Sequence, residues 1–179
     1  APLIKGGKEE QRTKNKTMND PIYFDNNATT KIDEEVFAAM LPYLTIYYGN
    51  PSSMHTFGGQ VGRAVREARG QVASLLGAED TEIVFTSCGT EGDNAAILAA
   101  LKAQPNKKQI ITTEVEHPAV LNLCRRLERE GYTVTYLSVN GLGQLDLDEL
   151  QAALTGDTAV VSVMYANNET GVVFPIEQI

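Results

Sequence analysis

Apolar and polar positions follow two different periods along this chain. From Asp80 onward, short β-branched runs at residues 82–86, 109–113, 133–137 and 159–164 are separated by segments with helical spacing at 91–103, 119–130 and 146–154. Pro105, Gly131 and Gly156 close those segments. Strands alternating with helices are the sequence form of a βαβ succession, which predicts an α/β fold with a mostly parallel sheet and flanking helices. Upstream, residues 33–44 and 62–76 also show helical spacing, and the Gly-, Pro-, Asn- and Ser-rich stretch YYGNPSSMHTFGG at 47–59 joins them as a loop.

Composition narrows the class. The 179 residues are 42% hydrophobic and 21% charged, with no tract of eighteen apolar residues, which describes a globular chain of about one domain and no membrane span. The net charge of -8 argues against a general nucleic-acid or membrane-surface partner, because those are met by Lys/Arg patches. The charge is uneven, however. Residues 1–17 hold five basic and two acidic side chains, and the acidic excess lies in the rest. With Met18 placed like an initiator, residues 1–17 read as a flexible leader or tag, and 18–179 as the folding part. Cys88 and Cys124 have neither disulfide-framework nor zinc-knuckle spacing, so they read as packing residues of a cytoplasmic protein.

Three predicted strand ends carry polar residues suited to binding. In FTSCGTEGDNAAI (85–97) a strand runs straight into a helix, with Thr90 as the expected N-cap, Asp93 as its capping-box partner, and Gly89 allowing close approach to the backbone. A helix start there is either a satisfied cap or an anion site for a phosphate ester. The segment has neither nucleotide phosphate-loop pattern. His117 lies beyond the end of 109–113, with Pro118 in the first helical turn; its ring could stack on an aromatic cofactor and carry a proton, or simply cap the helix. Beyond 159–164, Asn167 or Asn168 could donate to a ring substituent, or close an Asx-turn at Gly171. Open α/β sheets bind ligands at this edge. No His/Cys/carboxylate spacing points to a metal.

Five segments in order, DNNATT (25–30), GNPSSMH (49–55), FTSCGTEGDN (85–94), EHPAVLNLC (116–124) and ANNETG (166–171), resemble the cysteine desulfurases, most closely the nitrogen-fixation (NifS) type. The resemblance runs from Pro21 to Ile179. It implies the large domain of a fold-type-I pyridoxal 5'-phosphate (PLP) transferase, normally a homodimer, that removes sulfur from L-cysteine to leave L-alanine and an enzyme persulfide for an iron–sulfur scaffold protein. By position it implies that Gly89 and Thr90 bind the cofactor phosphate, that His117 stacks on the ring and acts in proton transfer, that Asn168 contacts the ring hydroxyl, and that Asn27 binds substrate. Gly92-Asp93 depart from the family's usual sequence on a helix surface. The family's cofactor-bearing Lys, its Asp partner to the ring nitrogen and its persulfide Cys have no counterpart before Ile179. The chain is therefore expected to be the N-terminal part of that domain, a cleaved or truncated piece, with a second chain supplying the missing C-terminal part as the alternative to the homodimer. Two other readings share these residues: a non-catalytic dimerisation or scaffold remnant, and a related PLP lyase such as selenocysteine lyase. A sheet ending after about four strands is also expected to leave apolar surface uncovered and to behave poorly alone.

Overall fold

A computed structural model of the chain describes residues 22–179; the proposed leader at 1–17 lies outside them. The chain divides into two units, Ala1–Asp33 and Glu34–Ile179. In the described part of the first, a turn at 26–28 is closed by Ala28 N–H donating to Asp25 O (3.2 Å), and the Tyr23 hydroxyl donates to the same carbonyl (2.7 Å).

The second unit contains helices α1 (Glu34–Thr45), α2 (Thr56–Leu76), α3 (Gly89–Ala103), α4 (Pro118–Arg129) and α5 (Leu147–Ala153), with strands β1 (Gln109–Thr113), β2 (Thr133–Leu137) and β3 (Thr158–Ser162). The three strands are parallel, in the order β2-β1-β3. The connection from β1 to β2 carries α4, and the return from β2 to β3 carries α5. Crossovers of one hand running in opposite directions must use opposite faces of the sheet, and the packing agrees. Ile110 joins Ile97 and Leu101 of α3 and Val120, Leu123, Cys124 and Leu127 of α4 in one core. Its neighbour Ile111 joins Leu137, Leu145, Leu150 and Phe174 in the other. Successive residues of a strand point to opposite faces, so β1, buried at all five positions, serves both cores.

α4 is the clearest case of sequence dictating an element. Its buried residues, Ala119, Val120, Leu123, Cys124 and Leu127, recur at helical spacing, Pro118 occupies the first turn, and Arg126 and Arg129 sit where the helix dipole favours positive charge. α2 shows glycine required twice. Gly77 ends the helix at φ 66°, a left-handed conformation that costs a side chain, and a Cβ on Gly58 would come within 2.4 Å of Asn50 O in the preceding loop.

One expected strand is absent. Residues 80–82 form a short 3₁₀ turn, and 83–86 run on without a ladder partner among the described residues; Val84 is 77% exposed. β-Branched composition favours extended backbone, but a strand exists only where a neighbour pairs with it. Instead, Arg69 holds this segment, its guanidinium donating to Ile83 O and lying 4.8 Å from the Phe85 ring centroid. The apolar positions of α1 are likewise unburied; Phe37 is 50% and Leu44 66% exposed.

Candidate cofactor site

With β1 in the middle, the chain leaves it first towards β2 and then crosses back to β3. The strand order therefore reverses between β1 and β3, which is where open α/β sheets form a ligand crevice beyond their carboxyl ends. The loops leaving these two strands carry His117 and Asn168.

α3 starts two residues earlier than its sequence suggests, with Cys88 as N-cap and Thr90 inside the first turn. Asp93 does not cap. Glu91 reaches back past the N-cap and accepts from the Ser87 N–H (2.7 Å) and the Ser87 hydroxyl (2.6 Å), and these bonds hold its carboxyl below the usual range. A short polar side chain was the residue type expected at the cap. Gly89 can itself enter the helix, which leaves the carboxylate three residues beyond Cys88 to reach back past it.

Cys88 is exposed, not packed as its sequence context suggested, because it lies at the mouth of this turn. The Glu91 amide lowers its thiol pKa most, followed by the Ser87 hydroxyl, and the Thr90 amide acts in the same direction. Amides that favour a thiolate equally suit phosphate oxygens. A Cβ built on Gly89 meets nothing within 4 Å, so the space over the helix start is open. Cys124 is the reverse case: fully buried, its pKa is pushed up to about 11, chiefly by desolvation and then by the charges of Glu128 and Glu116. Iodoacetamide at neutral pH is expected to label Cys88 roughly a hundredfold faster than Cys124, as followed by peptide mass, with Cys124 reacting only after unfolding.

His117 is the N-cap of α4, its Nδ1 accepting from Ala119 N–H (3.1 Å). An accepting nitrogen carries no proton, so the proton resides on Nε2, and the exposed ring keeps a face for stacking. Thr90 and His117 line one cleft of about 400 Å³, together with Asn94, Asn122 and Arg126. Asn94 sets its width, donating to both Thr90 O (2.7 Å) and Ala119 O (3.2 Å) and so tying the first turns of α3 and α4 together.

The two asparagines of the third loop have separate tasks. Asn167 is buried and builds the Asx-turn, its Oδ1 accepting from Glu169 N–H and Thr170 N–H (both 2.9 Å), while Gly171 closes the loop at φ 76°. Asn168, the next residue, is exposed and its amide donates to Glu169 Oε1 (3.0 Å). The structure thus brings Thr90 and His117 to one helix-start cleft, with Gly89 next to Thr90 in the same helical turn but outside the lining. Asn168 does not line it either, and its loop is tied to the His117 loop through neighbours. Asn27 lies exposed in the first unit. Sequence reasoning missed Asn94, Glu91 and the buried Glu116. Glu116 gave no clear signal, because Glu114 two residues before it has the same side chain and is exposed. Among the described residues no group of three or more His, Cys, Asp or Glu could hold a metal ion, and no helix is long and apolar enough to cross a membrane.

The model of the aminotransferase class-V family matches residues 22–179. A cysteine desulfurase of Trichormus azollae is 77% identical over 158 residues, covering 88% of this chain and 40% of that protein. Cysteine desulfurase NifS of Azotobacter vinelandii is 62% identical over 158 residues, covering 88% and 39%. Among solved structures, a NifS-like protein superposes with a TM-score of 0.83 at 40% identity, covering 88% of this chain and 43% of its own. SspA in complex with cysteine gives 0.80 at 37%, covering 88% and 46%. The chain spans about two-fifths of the length of the curated relatives it matches. Its parallel sheet and flanking helices are a fragment of the fold-type-I domain of such PLP enzymes. From Ile22 to Ile179, the chain belongs to the PLP-dependent aminotransferase class-V family.

Proposed function

We propose that the complete protein is a cysteine desulfurase of the nitrogen-fixation type and that this chain contributes the phosphate- and ring-holding half of its site. The observation that carries this reading is that Thr90 at the α3 start and His117 line one cleft, while His117 and Asn168 lie in the loops that leave the two strands where the order reverses. The amides of Gly89 and Thr90 grip the cofactor phosphate where the helix dipole is positive. His117 lies against the ring and moves a proton through Nε2, while its Nδ1 stays committed to Ala119. Asn168 donates to the ring hydroxyl, and Asn27 contacts substrate. PLP itself supplies the electron sink.

L-Cysteine and an accepting thiol are converted to L-alanine and a persulfide, which passes to an iron–sulfur scaffold protein. Cys124 is buried and Cys88 sits within the phosphate turn, so the accepting thiol is assigned to the remaining length of the complete protein. We place the protein in the cytoplasm, as a homodimer, in keeping with its unpaired cysteines. The test is to load the complete gene product with PLP and supply L-cysteine in the presence of a thiol reductant. Alanine and sulfide in equal amounts support the assignment. Turnover of selenocysteine alone points to the related lyase, and bound PLP with no turnover of any amino acid points to a scaffold.

A further inference from the structure

We propose that Glu116 and Asn167 are positioning residues, a reciprocal brace that locks the loop carrying His117 to the loop carrying Asn168, so that imidazole and carboxamide meet the cofactor ring as a preset pair. The proposal rests on the cofactor reading above. Neither side chain lines the cleft itself.

The two loops leave neighbouring strands but are about fifty residues apart in sequence, and beyond the last paired residues, Thr112 and Ser162, side chains that reach across can fix one against the other. Two of them do, in opposite directions. From the β1 exit, Glu116 Oε1 accepts from Met164 N–H (2.8 Å) at the β3 exit, and from the Thr113 hydroxyl (3.2 Å). From the β3 exit, Asn167 Nδ2 donates back to Val115 O (3.1 Å). Each residue then precedes the one assigned to the ring: Glu116 before His117, Asn167 before Asn168.

The environment argues that this is more than loop packing. Glu116 is 6% exposed, and burying a carboxyl is unfavourable unless its hydrogen bonds are fixed. Desolvation raises its pKa, and the charge of Asp93 on α3 adds to the rise. A carboxyl held under these conditions needs a rigid acceptor geometry in return, and here that geometry spans the crevice. Asn167, 8% exposed, uses every polar atom: Oδ1 holds its own turn while Nδ2 reaches across.

The experiment compares Glu116→Ala, Glu116→Gln and Asn167→Asp with the wild type in the complete gene product. Gln keeps the Oε1 acceptor; Asp keeps the turn but loses the donor to Val115. In the cofactor-free protein, amide exchange across 163–171 is expected to quicken about tenfold in Glu116→Ala and Asn167→Asp and to stay within about twofold in Glu116→Gln. With PLP, the same two variants are expected to bind about tenfold more weakly and to lose most of the visible circular dichroism per bound cofactor, with Glu116→Gln restoring both. Unchanged exchange and unchanged ellipticity in Glu116→Ala would overturn the brace, as would a Glu116→Gln variant as impaired as the alanine. If Glu116→Ala does not fold, Asn167→Asp decides by the same two readouts. A wild type that binds no PLP overturns the cofactor reading alone, and the exchange rates of the cofactor-free protein still judge the brace.

Discussion

Replacing His117 with alanine is expected to lower the turnover of L-cysteine by the complete gene product by about 10²- to 10⁴-fold, the usual contribution of a positioned acid–base group. His117 does two things at once, which makes the control as informative as the loss. Its Nδ1 caps α4 by accepting from Ala119, and loss of such a cap costs about 1 kcal/mol. His117→Asn keeps a short side-chain acceptor at the cap and removes the imidazole. Steady-state kinetics beside thermal unfolding should therefore show the asparagine variant regaining stability while remaining as slow as the alanine. Recovery of turnover along with stability would reduce His117 to a cap.

The second large effect is structural. Leu127→Ala is expected to destabilise the domain by about 3 kcal/mol, as deletion of a buried leucine leaves a cavity that its neighbours only partly fill. Leu127 is 1% exposed, where α4 meets α3 and the sheet in the same core as Ile97, Leu101 and Ile110. α4 also carries His117 at its start, so loosening this core loosens the helix on which the ring is mounted. Leu142→Ala, 74% exposed, should stay within about 0.5 kcal/mol of wild type. Urea midpoints measured on both variants check the contrast, and equal shifts would refute the assignment of the core.

The elements that sequence described best are those where one physical rule acts alone. β1 and β2 occupy the expected 109–113 and 133–137, because short β-branched runs bounded by breakers match strands buried in a parallel sheet. α4 lies one residue from expectation at each end, since its apolar stripe and Pro118 agree. The failures arise where pairing or geometry decides. Residues 83–86 have strand composition without a partner edge. Thr90 looks like the cap, yet Gly89 lets the helix begin earlier, with Cys88 as N-cap and Glu91 bonded back to Ser87. Cys88 and Cys124 are chemically identical in sequence, and only the fold places one at a helix mouth and the other in a core. Of the site, the helix start, His117 and the asparagine pair were legible because each follows a predicted strand. Which asparagine is buried, and the bonds between the two loops, depend on strand order, which no local pattern encodes.

The central claim is that the start of α3 grips a phosphate while His117 faces the attached ring. Equilibrium dialysis of the complete gene product against PLP, with pyridoxal in parallel, tests it most directly. The account predicts one PLP per chain and binding of the phosphate-free pyridoxal weaker by about two orders of magnitude, the loss expected of several charge-assisted bonds. Equal retention of the two compounds, or retention of neither, would contradict it.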